Sequence, residues 1–154
     1  MMTRLTCDVV KALGDKTLSV AESCTGGMIG AAITSVPGSS KVFKGGVISY
    51  TNEVKSSLLG VSKNLLEREG AVSLPVAQEM AVGVRAATGS DYGLSVTGLA
   101  GPGGDEYGNP VGTGYVGYAD DRGSFARKFL FDGDRESVRL KAVNAALQML
   151  MEKL

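Results

Sequence analysis

The 154-residue chain contains no histidine. That absence removes every Ser-His and Cys-His dyad, and it removes the commonest zinc ligand. Only two cysteines occur, Cys7 and Cys24. They are too few for a disulfide framework, or for a structural zinc site of the all-cysteine or cysteine–histidine kind. A catalyst built from this chain must take its base from Lys, Tyr, Asp or Glu. Net charge is lacking as well, since 16 basic residues balance 16 acidic ones. No Lys/Arg block stands out, which argues against nucleic acid or an anionic membrane as a partner. No apolar run nears the ~18 residues of a spanning helix. The start, Met1-Met2-Thr3-Arg4-Leu5, lacks the apolar core of a signal peptide. Together these absences lead us to expect a cytoplasmic protein.

Glycine is in excess, with 22 residues, about twice the ~7% usual share. The glycines cluster where predicted strands meet helices or loops. Apolar residues make up 44% of the chain and charged residues 21%, values of a globular domain. The length fits a single domain over residues 1–154.

Leu5, Val9, Val10 and Leu13 recur at helical spacing, with Gly14 as the stop. Residues 17–21 read as a buried strand, 25–36 as a helix rich in small residues, and 46–50 as a second strand. Asn52 is the expected N-cap of a short helix ending near Gly60, and Ser62 caps another that stops at Gly70. Ser73 and Pro75 open a longer helix closing at Gly89. Residues 92–97 form a third strand, and 98–112 are too rich in Gly and Pro for regular structure. Residues 112–118 and 125–131 read as a hairpin turning at Asp120–Gly123. Asp134 caps a last helix with a Val143, Leu147, Leu150, Leu154 stripe. This order predicts an α/β layered fold, with a mixed, mostly parallel central sheet flanked by helices. Ligands of such sheets sit beyond the carboxyl ends of the strands, here at Glu22-Ser23, Tyr50-Thr51-Asn52 and Thr97-Gly98.

Four segments can carry chemistry. In E-S-C-T-G-G, residues 22–27, a hydroxyl stands at a strand-to-helix turn beside unpaired helix N–H groups that can hold an oxyanion. Taken alone, it reads first as a cap through Ser23 or Thr25, and second as a nucleophile. Ala21 and Thr25 occupy the glycine positions of the G-x-S-x-G elbow, so it is not that motif. Cys24 is either a reactive thiol or a buried small hydrophobe. Lys55 falls at the third position of a helix capped by Asn52, where the dipole disfavours an ammonium and partial burial would disfavour it further. A Ser-Lys pair would then activate a serine without histidine. Otherwise Lys55 is a solvated surface lysine, and Tyr50 is either a proton-handling group or a half-buried strand aromatic. The loop from Gly98 to Gly112 is an anion-binding concavity or a tight structural loop. Arg135, at the start of the final helix, recognises phosphate or carboxylate, or pairs with Asp132 or Asp134.

The ordered motifs AESCTGG (21–27), PGSSKVFKGGVISYTNEVK (37–55), GAVS (70–73), TGLAGPGG (97–104), PVGTGYVG (110–117) and FDGDR (131–135) carry a resemblance. Together they resemble the CinA C-terminal domain family, whose enzymes are nicotinamide mononucleotide deamidases. Many of its members carry a further domain resembling molybdopterin-binding proteins, which is not expected in these residues. The resemblance implies a metal-free and cofactor-free amidohydrolase of pyridine nucleotide salvage, acting on a small mononucleotide as a homo-oligomer. It implies Ser23 as nucleophile, Lys55 as base and Tyr50 as a further catalytic group. Thr25, Gly26 and Gly27 would supply the oxyanion donors. Thr97, Gly98, Gly101, Arg135, Ser39 and Ser40 would hold the ribose phosphate. Two other readings keep the same motifs: a non-catalytic nucleotide-binding or regulatory module, and a thiol hydrolase using Cys24.

Overall fold

In the computed structural model, which describes residues 2–154, helices pack on both faces of one five-stranded sheet. The elements are α1 (Arg4–Leu13), β1 (Leu18–Glu22), α2 (Met28–Thr34), β2 (Phe43–Ile48), α3 (Asn52–Leu59), α4 (Lys63–Glu69), α5 (Leu74–Thr88), β3 (Tyr92–Gly98), β4 (Thr113–Ala119), β5 (Ser124–Leu130) and α6 (Arg135–Met151). Met1, part of the N-terminal segment considered above, lies outside the described residues.

The strand order is β2-β1-β3-β4-β5. β1 runs parallel to β2 and β3, while β3–β4 and β4–β5 are antiparallel. Every strand but β4 therefore points the same way. The expected α/β layering with a mixed, mostly parallel sheet is what the chain adopts.

The period-two alternation of the strands divides the core. Leu18 and Val20 of β1, Leu94 and Val96 of β3, and Val116 and Tyr118 of β4 join the cluster beneath α1, α2 and α6. The opposite face of the central strands carries small residues, Ser19, Ala21, Gly93, Ser95 and Gly117. That face lets α5 lie almost directly on the sheet. A Cβ on Gly117 would collide with the Ala77 carbonyl, and one on Gly93 with the Ala81 carbonyl. Buried hydroxyls tie the two layers together: Ser95 Oγ donates to Ala77 O at 2.5 Å and Ser19 Oγ to Val84 O at 3.2 Å. Part of the glycine excess is thus a packing surface for one helix.

Caps explain most helix starts, with two departures. Ser62 and Asp134 cap α4 and α6 through the N–H groups of Leu65 and Ser137. α3 is capped by Thr51, whose hydroxyl accepts from Val54 N–H at 3.3 Å, so Asn52 is its first residue and not its cap. Ser73 occupies the N-cap position of α5, but its hydroxyl donates to Gly70 O instead. The last helix buries Val143, Leu147 and Leu150, while Leu154 lies beyond its end. No helix of the described residues is long and apolar enough to cross a membrane.

Candidate active site

The carboxyl ends of β1 and β3 open onto a cavity of about 240 Å³, reached also by the segment after β2 and by the start of α6. Ser23, Cys24, Tyr50, Lys55, Thr97–Gly101 and Arg135 are among its lining residues. The topology explains the convergence. β4 enters the sheet and β5 leaves it at this same end, since Thr113 pairs with Leu130 and Gly98 with Gly114. The turn carrying Asp134 and Arg135 is therefore delivered beside the ends of β1 and β3.

Residues 23–27 form a turn, and α2 begins at Met28, three residues later than the sequence pattern predicts. Gly26 and Gly27 have φ of 59° and 106°, the left-handed region that favours glycine. Neither Ser23 nor Thr25 caps α2. The capping is done by Glu22, the last residue of β1, a residue to which sequence reasoning assigned no role. Its Oε1 accepts from Thr25 Oγ1 at 2.6 Å, Gly27 N at 3.2 Å and Ile29 N at 2.9 Å, and its Oε2 from Gly30 N at 3.0 Å. A carboxylate six residues before the helix was a visible signal, but a hydroxyl cap was the simpler expectation.

With capping done elsewhere, the Ser23 hydroxyl is available. Ser23 N–H is pinned to Val96 O at 3.0 Å, and Ser23 Oγ accepts from Lys55 Nζ at 3.0 Å. Lys55 is 1% exposed. Its Nζ also donates to Ser49 O at 2.6 Å and Tyr50 O at 3.4 Å. Lys55 sits at the fourth position of α3, because Thr51 is the cap. Burial lowers its pKa from the ordinary 10.5 to about 8. It is not a solvated surface lysine.

Cys24 is buried, and burial pushes its thiol up to about 11. Its own backbone N–H and the charge of Arg139 oppose that rise without cancelling it. The thiol is therefore protonated at neutral pH. Arg139, another residue the sequence reading missed, binds the turn from outside. It donates to Cys24 O at 2.9 Å through Nε and to Thr25 O at 3.4 Å. Its one signal was its place one turn beyond Arg135 on α6.

Arg135 makes no ion pair with Asp132 or Asp134; the ion pairs among the described residues lie elsewhere. Its guanidinium donates to Gly101 O at 2.6 Å and to the Tyr50 hydroxyl at 3.3 Å, bridging the segments after β3 and β2. Tyr50 lies beyond β2, which ends at Ile48, and is 59% exposed. It is neither in a strand nor half-buried.

The cavity thus brings together Ser23, Tyr50, Lys55, Thr97, Gly98, Gly101 and Arg135. The Thr97 hydroxyl donates to the carbonyl of Ala71, another residue of the cavity wall, at 2.9 Å. Thr25, Gly26 and Gly27 build the turn behind the cavity. The N–H groups of Gly26 and Gly27 are already bound, to Ser23 O and to Glu22 Oε1, which removes them as oxyanion donors. Ser39 and Ser40 are not part of the site. They form a short 3-10 turn before β2, and the parallel register sets Phe43 beside Leu18 and Ile48 beside Glu22. The serines are therefore at the opposite end of the sheet, about 13 Å of strand away.

The profile of the CinA C-terminal domain matches residues 3–154. The chain is 52% identical over 142 residues to a CinA-like protein of Rippkaea orientalis, and 51% identical over 142 residues to one of Thermosynechococcus vestitus. Each match covers 90% of this chain and 34% of the relative, so the chain spans about a third of the length of these curated relatives. Among solved structures it is similar to a competence-damaged protein (CinA) superfamily protein of Escherichia coli. The TM-score is 0.95 at 35% identity, covering 97% of this chain and 88% of that one. It is also similar to a competence/damage inducible protein of Agrobacterium tumefaciens, with a TM-score of 0.90 at 33% identity, covering 99% of this chain and 97% of the other. The chain belongs to the CinA C-terminal domain family.

Proposed function

We propose that this chain is an amidohydrolase that converts nicotinamide mononucleotide to nicotinate mononucleotide and ammonia, with Ser23 as nucleophile and Lys55 as base. The 3.0 Å hydrogen bond from the buried Lys55 Nζ to Ser23 Oγ, inside a cavity, carries the reading. In the ammonium form the three N–H bonds of Nζ meet Ser49 O, Tyr50 O and Ser23 Oγ. When one proton leaves, the two carbonyls retain the other two. The lone pair then faces the serine hydroxyl. Burial, by lowering the pKa to about 8, puts this neutral form within reach of neutral pH.

Ser23 Oγ attacks the carboxamide carbon while Lys55 takes its proton. The oxyanion needs preorganised donors. The backbone N–H groups of Cys24, Ala100 and Gly101, all residues of the cavity wall, make no hydrogen bond to another residue and are suited to the task. The C–N bond then breaks, and the Lys55 proton passes to the leaving nitrogen, which departs as ammonia. Water, giving a proton to Lys55, hydrolyses the Ser23 ester and releases the carboxylate. Tyr50 contributes its carbonyl to Lys55 and its hydroxyl to Arg135. Arg135 exchanges neutral acceptors for phosphate oxygens, a stronger, charge-assisted pairing.

Ammonia release by the wild type, measured with nicotinamide mononucleotide, nicotinamide riboside and nicotinamide, tests the reading. The mononucleotide should be the best of the three. Arg135→Ala should raise its KM roughly 10- to 100-fold and leave the riboside little changed. Absence of ammonia from the mononucleotide, despite binding, would replace the proposal with a nucleotide-binding module.

A further inference from the structure

Glu22 is 2% exposed and takes no part in the steps above. Every group against its carboxylate is a donor: the Thr25 hydroxyl and the N–H groups of Gly27, Ile29 and Gly30. Three of these contacts fall on Oε1 and one on Oε2, so both oxygens are held by the turn. Among the described residues no Lys or Arg forms an ion pair with it. Its main chain faces the other half of the site. Glu22 O accepts from Ser49 N at 2.8 Å and from Ser49 Oγ at 3.4 Å, and Ser49 O is the acceptor 2.6 Å from Lys55 Nζ.

We infer that Glu22 is a positioning residue for the Ser23–Lys55 pair. Its side chain fixes the turn that presents Ser23 Oγ, and its carbonyl fixes the strand end that orients Lys55 Nζ. One residue thereby sets both partners of a 3.0 Å contact. A glutamine would keep the shape, but with its amide oxygen on the three donors at Oε1 its N–H₂ would meet the Gly30 N–H, donor against donor, and the turn would shift there. The inference rests on Ser23 as nucleophile and Lys55 as base.

The test uses diisopropyl fluorophosphate, which needs no pyridine nucleotide. Ser23 Oγ attacks phosphorus, fluoride leaves, and Lys55 takes the proton. Intact-protein mass spectrometry gives both the rate constant and the final labelled fraction. Glu22→Gln should label Ser23 to completion with a rate constant lowered by about 100-fold, the cost of a misplaced reacting group. A cap that served stability alone would lower the labelled fraction and leave the rate constant of the folded molecules unchanged. Complete labelling at the wild-type rate overturns the inference. If Glu22→Gln labels incompletely, Thr25→Val decides, since it removes only the 2.6 Å hydroxyl contact. Slower but complete labelling supports positioning, and the wild-type rate refutes it. A wild type that is never labelled at Ser23 overturns the nucleophile assignment itself. A wild type that labels but does not deamidate leaves Glu22 in its role and removes only the substrate.

Discussion

Lys55 heads the large side chains that are fully buried, and an ammonium there is paid for in solvation. The sequence pointed to this lysine through the helix dipole. Desolvation by burial is the principal cause of its lowered pKa, and burial of one lysine among 16 basic residues could not be read from the pattern alone. The kcat of the wild type should rise with pH and level off above a limb near 8. A flat profile from pH 6 to 10 would remove Lys55 as the base. The same group leaves a mark on stability. Below pH 8 Lys55 is protonated in folded and unfolded chains alike, and the folded state bears the full cost of the buried charge. Between about 8 and 10.5 the unfolded chain holds a proton that the folded chain has released, so stability rises with pH across that window. The rise is of the order of 3 kcal/mol. Lys55→Met should lack it, so urea titrations at pH 7.5 and 10.5 should show the gap between variant and wild type changing by that order. A constant gap would contradict the buried-ammonium account.

At the scale of elements, caps of the ordinary kind were legible. Ser62 and Asp134 stand where the sequence places them, because a short polar side chain just before an apolar run has few other uses. Three readings failed for local reasons. Thr51 displaced Asn52 as cap by one residue, Glu22 reached from the strand end to do what Ser23 or Thr25 was expected to do, and β2 stopped short of Tyr50. β1 ends at Glu22, so the last ladder bond goes to Ser49 and the chain beyond is free to bend toward Lys55. Asp134→Ala should cost about 1 kcal/mol of stability. It should also raise the KM for nicotinamide mononucleotide with little change in kcat, because Arg135 follows directly while Ser23 and Lys55 belong to other elements. Denaturant melts and steady-state kinetics on one preparation would check both.

For the molecule as a whole, layering was readable from the alternation of strand and helix patterns. The meeting of Glu22-Ser23, Tyr50 and Thr97-Gly98 was readable from the rule that ligands sit beyond strand carboxyl ends. The place of Ser39 and Ser40 was not readable, because it depends on β1–β2 register. Nor could the glycine-faced sheet be told from glycine loops. Gly117→Val should destabilise by at least the ~1–3 kcal/mol of an overpacked core, since the added atoms meet backbone of α5 and not a movable side chain. The central claim is that Ser23 and Lys55 act as one catalytic pair. The most direct measurement is ammonia release from nicotinamide mononucleotide by wild type, Ser23→Ala, Lys55→Ala and Cys24→Ala, each checked for folding. Loss of turnover in the serine and lysine variants, with Cys24→Ala active, is the expected result. Full activity in Ser23→Ala, or loss confined to Cys24→Ala, would contradict it.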